Sequence, residues 1–465
     1  MNQSVSRRFE TDGLGSQLPS IRVPPPGPIS RELGKRLGTH ESPNASGVSV
    51  GEVPVFWEQT RGANIVDADG NVYVDLTAGF CVAVAGHSHP KIVAAIAEQA
   101  AAMMHAQGGA NPSRRRVELV ERLSQLAPPG LTSVHVSNTG AESTEMAMKT
   151  ARLYTGKPII VAFDGGFHGK TLGALSATAQ NYYREAFLAE LPATIHLPYA
   201  YCYRCPFGLK YPSCDIACGK YFEHVLTSPD SGVTGVAGVI LEPVQGHGGW
   251  IVPPREFIQI VRRVCNERGI VFIADEVITG FGRTGKRFAT EHFDVVPDVV
   301  AVGKGLASGF PISAMLTRPE MSAVWKPMQH TSTFMGNPVG AAAALASLDI
   351  IEKENLVQRS AELGAHLKDA LVEMQPKHPL MGDIRGLGTM VGIEVVKDRG
   401  TREPASKEGR RVVDEMLKRG VMATNYGGTY HNVIKMSPPL IITLEQLNYG
   451  IEVIDESFAA VEKPR

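Results

Sequence analysis

A lysine that follows one apolar run and an aspartate that closes another are the residues of this sequence best suited to chemistry. Lys304 stands in Asp298-Val-Val-Ala-Val-Gly-Lys304-Gly305-Leu306, and Asp275 and Glu276 end the strand-like Ile270-Val-Phe-Ile-Ala. An amine at the end of a buried strand can form a Schiff base with an aldehyde cofactor such as pyridoxal phosphate. A carboxylate at the end of another can keep a pyridine nitrogen protonated, which makes the ring an electron sink. A lysine after a strand is usually just solvated. The pair carries weight only together with phosphate and ring contacts elsewhere.

Three further stretches sit where such contacts are needed. Ser137-Asn138-Thr139-Gly140-Ala141-Glu142 precedes a helix through Met146, Met148 and Ala151. Small residues there let backbone N–H groups face an anion at the positive end of the helix dipole. The same residues also read as a plain turn capped by Asn138 or Thr139. Asp164-Gly-Gly-Phe167-His168-Gly-Lys170-Thr171 offers rings to stack on a flat cofactor and a cation for an anion, or else a flexible surface loop. Leu241-Glu242-Pro243-Val244-Gln245-Gly246 places Glu242 and Gln245 beyond a strand's carboxyl end, where open α/β sheets bind ligands. Strand-end turns are generally polar, so that stretch says little alone.

These strand ends need a sheet behind them. From about residue 90 to 350, short apolar runs alternate with helical patterns: Val134-His-Val, Ile159 to Phe163, Val236 to Leu241, Ile270 to Ala274 and Val299 to Val302. Such alternation predicts a mostly parallel sheet covered by helices. Residues 1–50, rich in Gly, Ser and Pro around Pro24-Pro25-Pro26-Gly27-Pro28, predict an extended or partly disordered arm. Residues 51–90 hold a hairpin signature around Asp69-Gly70-Asn71 and open a smaller domain. Residues 91–350 form the large domain, interrupted by a cysteine-rich insertion at 199–220, and residues 351–465 return to the small α/β domain. A length of 465 residues accommodates two cores. A net charge of −1 with 20% charged residues gives no support to a nucleic-acid or anionic-membrane partner. No apolar run approaches the ~20 residues that span a bilayer. Without a signal-like start, the expected location is cytoplasmic.

Taken in order, Ser-Asn-Thr-Gly-Ala-Glu, Phe-His-Gly-Lys-Thr, Glu-Pro-Val-Gln-Gly, Ala-Asp-Glu-Val, Gly-Lys-Gly and Thr-Phe-Met-Gly-Asn-Pro resemble the motifs of class III aminotransferases. These are the ω-amino-acid branch of fold type I pyridoxal-phosphate enzymes, including the 4-aminobutyrate aminotransferases. The resemblance runs from about Val53 to the C-terminus and omits most of 200–220. It implies an α/β fold: a large domain with a mainly parallel, seven-stranded-type sheet flanked by helices, and a small α/β domain from both chain ends. It implies that Lys304 holds the cofactor and shuttles the substrate proton, and that Asp275 pairs with the pyridine nitrogen. Val277 and the Phe167-His168 stretch would sandwich the ring, with Gln245 near its 3′-oxygen. Thr139, Gly140 and Ala141 would cradle the phosphate. Thr333 would reach the phosphate of a neighbouring subunit, implying a homodimer or dimer of dimers with shared active sites. The implied reaction is ping-pong transfer from an ω-amino acid (4-aminobutyrate or β-alanine-like) or an amine to a 2-keto acid such as 2-oxoglutarate or pyruvate. A racemase or epimerase, a decarboxylase or a phospho-lyase would use the same contacts. A non-catalytic cofactor- or cluster-binding regulator is the alternative of another class.

Departures from the family pattern bear on substrate. Lys170 and Lys435 stand where the aminobutyrate and ornithine enzymes carry carboxylate-gripping arginines. Lysine keeps the charge and loses the planar fork. Glu242 could pair with Lys435 and release it when a carboxylate arrives; alternatively either lysine is solvated, or the pair is locked. Phe80 and Val82 match the segment that lines the substrate pocket in the family. Cys202, Cys205, Cys214 and Cys218, spaced C-x2-C-x8-C-x3-C, predict a zinc or iron–sulfur site, with four reduced thiols as the other reading.

Overall fold

In the computed structural model, which describes residues 13–50 and 52–463, the aliphatic runs become strands. Near the N-terminus lie β1 (Trp57–Arg61), β2 (Asn64–Asp67) and β3 (Val72–Asp75), an antiparallel meander around the Asp69-Gly70 turn. The large sheet follows with β4 (Ser133–Ser137), β5 (Ile159–Phe163), β6 (Thr194–Leu197), β7 (Val236–Leu241), β8 (Val271–Asp275), β9 (Val299–Val302) and β10 (Ser313–Thr317). Their spatial order is β4-β10-β9-β8-β7-β5-β6. Strands β5 to β9 run parallel, and β10 lies antiparallel between β4 and β9.

Burial on both faces explains why β7 and β8 are continuously apolar up to Asp275. Val271 and Ile273 pack with Met146, Ala147 and Ala151 of the helix Gly140–Thr155. Phe272, one residue out of phase, packs with Phe257, Ile258 and Val261 of the helix Arg255–Arg268. Alternation along one strand therefore serves two helical layers.

The smaller unit is drawn from both ends of the chain. Two more strands, β11 (Met381–Leu387) and β12 (Met390–Val395), form a hairpin; the two-residue β13 (Val421–Met422) pairs in parallel with β3, and β14 (Val433–Met436) pairs with β12. One core joins Val74 and Leu76 to Leu363, Ile393, Ile454 and Phe458.

The segment expected to be an extended arm holds a 13-residue helix, Pro28–His40. Proline opens it, as is favourable at a first helical position. Its cap comes from far away: Asp69 accepts from the N–H groups of Ile29 at 2.7 Å and Ser30 at 2.9 Å. Ser20 bridges to Val72, so this segment is tied to the meander. Among the described residues no helix is long and apolar enough to cross a membrane.

Candidate active site

The carboxyl ends of β8 and β9, adjacent and parallel, deliver Asp275 and Lys304 to one crevice. Lys304 opens a short 3-10 turn after Gly303 with φ +40°, a left-handed conformation that costs a side-chain-bearing residue about 1–2 kcal/mol. The turn directs the amine into a cavity of about 420 Å³. Burial biases this amine towards its neutral form. Asp275 accepts from Val277 N at 3.0 Å and is held by His168 Nδ1 at 2.7 Å, both side chains buried. His168 is thus the hydrogen-bond partner of Asp275, a role the ring-stacking expectation did not contain.

Thr139 caps the helix Gly140–Thr155 in a capping box with Glu142, whose carboxylate accepts from the N–H groups of Asn138 at 2.7 Å and Thr139 at 2.9 Å. Such a cap contributes about 1 kcal/mol. Ser313 Oγ donates to Thr139 O at 2.6 Å, fixing the helix start to β10. Gly140 admits no side chain, because a Cβ there would lie 2.9 Å from Val277 Cγ1. Against the following residue, Ala141, Gly169 (φ +130°) packs so closely that a Cβ on it would meet the Ala141 Cβ at 2.7 Å. The helix start, Val277 and the Phe167-His168-Gly169 turn therefore converge.

A pyridoxal phosphate fits this donor set. The first N–H groups of a helix lack intrahelical partners and suit a phosphate. Asp275 suits a pyridinium, Lys304 an aldehyde, and the buried Gln245 Oε1, unpartnered among the described residues, leaves polar capacity beside the site. Gln245 Nε2 is anchored on Asp164 O at 2.8 Å.

Around the amine, the cavity wall is aromatic: Phe80, Phe167, Tyr183, Trp250 and Tyr426. Phe80 is 62% exposed and belongs to a left-handed turn, Ala78 to Cys81, in which every φ lies between +49° and +67°. Val82 is not on the cavity wall; it is a half-buried residue that closes the turn after Cys81. Lys170 lines the mouth with its Nζ 4.1 Å above the Tyr183 ring. Lys435 lines the interior, is 6% exposed, and places Nζ 4.8 Å from the Trp250 ring. Burial pulls its pKa down to about 8.

Lys435 and Glu242 are not joined in an ion pair. Both Glu242 oxygens are occupied, accepting from Phe167 N and Gly246 N at 2.8 Å each. Burial raises this carboxyl to about 7. Burial, and after it the charge of Lys435, pushes the His247 imidazole down to about 4. Thr333 lies exposed and away from this cavity in the single chain.

Trp250, Tyr426 and His247 were not expected. Gly246-His247-Gly248-Gly249-Trp250 follows Gln245 directly, and the backbone bridge from Gln245 to Ile251 turns it back over the cavity. A glycine-flanked His and Trp after a strand-end motif was the available signal.

The expected zinc or iron–sulfur site finds no support in the fold. Cys202, Cys205, Cys214 and Cys218 line one small cavity, yet among the described residues no group of three or more His, Cys, Asp or Glu converges to hold a metal ion. Burial raises the Cys218 thiol to about 11. The insertion is anchored instead by Tyr201 and Arg204, which both bond to Glu394 on β12.

The family model described as aminotransferase class-III matches residues 45–458. An isoleucine 2-epimerase of Lentilactobacillus buchneri is 39% identical over 416 residues, covering 87% of this chain and 90% of that protein. A probable 4-aminobutyrate aminotransferase of Bacillus subtilis is 39% identical over 402 residues, 86% of this chain and 92% of its own. Among solved structures, an amine transaminase from an uncultivated Pseudomonas species in its PLP-bound form superposes with a TM-score of 0.82 at 29% identity, covering 90% of this chain and 98% of that one.

Proposed function

The chain belongs to the class-III aminotransferases, pyridoxal-phosphate-dependent enzymes, and from that premise we propose that it moves an amino group from a carboxylate-bearing ω-amino acid to a 2-keto acid. The observation that carries this reading is Lys435: an interior ammonium in the same cavity as Lys304, with no carboxylate among the described residues bound to it. A buried cation lacking a partner is an anion site, and in this cavity the anion is the substrate's carboxylate.

Pyridoxal phosphate, when bound, supplies an aldehyde to hold the substrate nitrogen and a ring to delocalise charge from its carbon. Thr139, Gly140 and Ala141 would hold its phosphate, and Asp275, oriented by His168, would hold the pyridine nitrogen. Lys304, kept towards its neutral form by burial, takes the proton from the substrate carbon and returns it. The aromatic wall excludes water and grips the apolar body of the donor. Thr333, exposed in one chain, would complete the phosphate site of a second copy in a homodimer or dimer of dimers.

A racemase or epimerase is the second reading. It is favoured by the epimerase relative at the same 39% identity and by His247, a neutral imidazole on the wall of the Lys304 cavity. Donors added singly to purified enzyme discriminate the two: 4-aminobutyrate, β-alanine, ornithine, L-alanine, L-isoleucine and an arylamine. Loss of the pyridoxal absorbance with a stoichiometric carbonyl product, an aldehyde from a primary ω-amine, restored by 2-oxoglutarate or pyruvate, is the expected result. Inversion of an α-amino acid with no keto acid formed would replace the proposal with the second reading.

A further inference from the structure

The cysteine-rich insertion builds a second cavity, separate from the one that holds Lys304. This cleft, of about 400 Å³, opens between the insertion and the small unit's sheet. Three phenol rings line it, from Tyr201, Tyr203 and Tyr211, together with Lys210, Arg385 and Arg402. Its volume lies in the range of about 300–1,000 Å³ typical of small-molecule sites.

Its charges do not cancel. Arg385 is 9% exposed and is neutralised by Asp383 and Glu394, each at 2.7 Å from Nη1. Arg204 shares Glu394. Lys210 and Arg402 make no ion pair among the described residues, so the lining carries two uncompensated positive charges. Arg402 is fixed in place: it donates to Tyr203 O and its guanidinium stacks 4.9 Å from the Tyr203 ring. Polar capacity is also unmet in the same walls. Tyr203 Oη and Arg385 Nη2 are two of the ten buried side-chain polar atoms without a partner among the described residues. Such atoms are costly unless water or a ligand satisfies them.

We propose that this cleft is a binding site for a small organic anion with a flat ring, its phosphate or carboxylate held by Lys210 and Arg402 and its ring by the tyrosines. Arginine and lysine provide the charge-assisted bonds to the anion. The phenols provide stacking surfaces. The floor is shared with the active site: Arg385 Nε donates to Gly249 O at 2.9 Å, and Ile251 and Val252 line the cleft while Trp250 lines the other cavity. An occupant is therefore one residue away from the active-site wall.

The test is calorimetric titration of the cofactor-loaded enzyme with AMP and, separately, benzoate, with adenosine and inorganic phosphate as the ring-only and anion-only probes. The cofactor fills the active-site phosphate cradle, so AMP has to find another site. The expected result is saturable binding of AMP or benzoate, weakened about tenfold or more in the double variant Lys210→Met, Arg402→Met. AMP alone would identify a phosphate ligand, and benzoate alone a carboxylate. If the double variant loses its cofactor absorbance or cooperative melting, Lys210→Glu alone replaces it, with the same expectation. Absence of saturable binding by both probes overturns the proposal, as does binding that these substitutions leave unchanged.

Discussion

Replacing Lys435 with methionine separates substrate recognition from stability, and the two effects have opposite signs. The ammonium is buried, lies against Trp250 and titrates at about 8 instead of its ordinary 10.5. A displacement of that size corresponds to about 3 kcal/mol against the charged form at neutral pH. The unfolded chain binds the extra proton between those two values, so wild-type stability rises with pH across that window. Lys435→Met removes the buried charge and keeps most of the volume. It is expected to raise the unfolding free energy by about 2–3 kcal/mol, or the melting temperature by about 2–3 °C in a chain of this size. The same change removes a charge-assisted bond to the substrate carboxylate, worth about 1.5–3 kcal/mol, so KM for a carboxylate-bearing donor rises about 10–150-fold. An amine without a carboxylate keeps its KM. In the wild type, KM for the acid donor climbs above pH 8 as the ammonium is lost. Half-reaction kinetics with 4-aminobutyrate and an arylamine, beside melting curves at pH 7, measure all of this. A variant that melts lower and binds the acid donor normally would refute the reasoning: Lys435 would then be a structural cation.

Other substitutions probe other contacts. Lys304→Ala is expected to cut turnover by about 10³-fold or more while the fold still melts cooperatively, because it removes the proton carrier. Gly140→Ala forces a methyl towards Val277 at 2.9 Å; a destabilisation of about 1–3 kcal/mol and faster cofactor loss, followed by absorbance during dialysis, are expected. Glu242→Gln should flatten the pH dependence of stability. The carboxyl is raised from 4.5 to about 7, so the native state holds the extra proton, and wild-type stability falls as pH rises through that window. Denaturation midpoints at pH 5 and pH 8 give the slope. Phe80→Gly relieves a φ of +62° on an exposed side chain and is expected to stabilise by about 1 kcal/mol, measured by urea unfolding, while changing the donor preference.

The chemistry was legible where sequence neighbours make the site. Asp275 and Lys304 each end an unbroken apolar strand, and parallel pairing of those strands suffices to bring them together. Thr139 and Glu142 are three residues apart and form their capping box locally. What escaped depends on partners distant in the chain. Strand β10, with Ser313 and Thr317 at its ends, declares itself only between β4 and β9, and β6 is a four-residue edge. The helix at Pro28–His40 is capped by Asp69, some forty residues away. Glu242 looked free to meet Lys435 because the sequence does not say that two backbone N–H groups already occupy it. The four cysteines look like ligands by spacing, but the folded insertion does not bring them into a metal-binding group.

The parallel pairing of β3 with β13 also constrains how the protein can be made. Val74 and Val421 are about 350 residues apart, so beyond the Ser20 bridge at Val72 the edge of the meander has no strand partner until nearly the whole polypeptide has left the ribosome. At about 5–20 residues per second, that is an interval of roughly 20–70 seconds. Throughout it, Val74 and Leu76 lack the core they share with Ile454 and Phe458. The intervening domain can complete its own sheet meanwhile. Nascent chains of this protein are therefore expected to carry one finished domain and one waiting strand, a form that chaperones recognise and that truncation near residue 420 would make permanent.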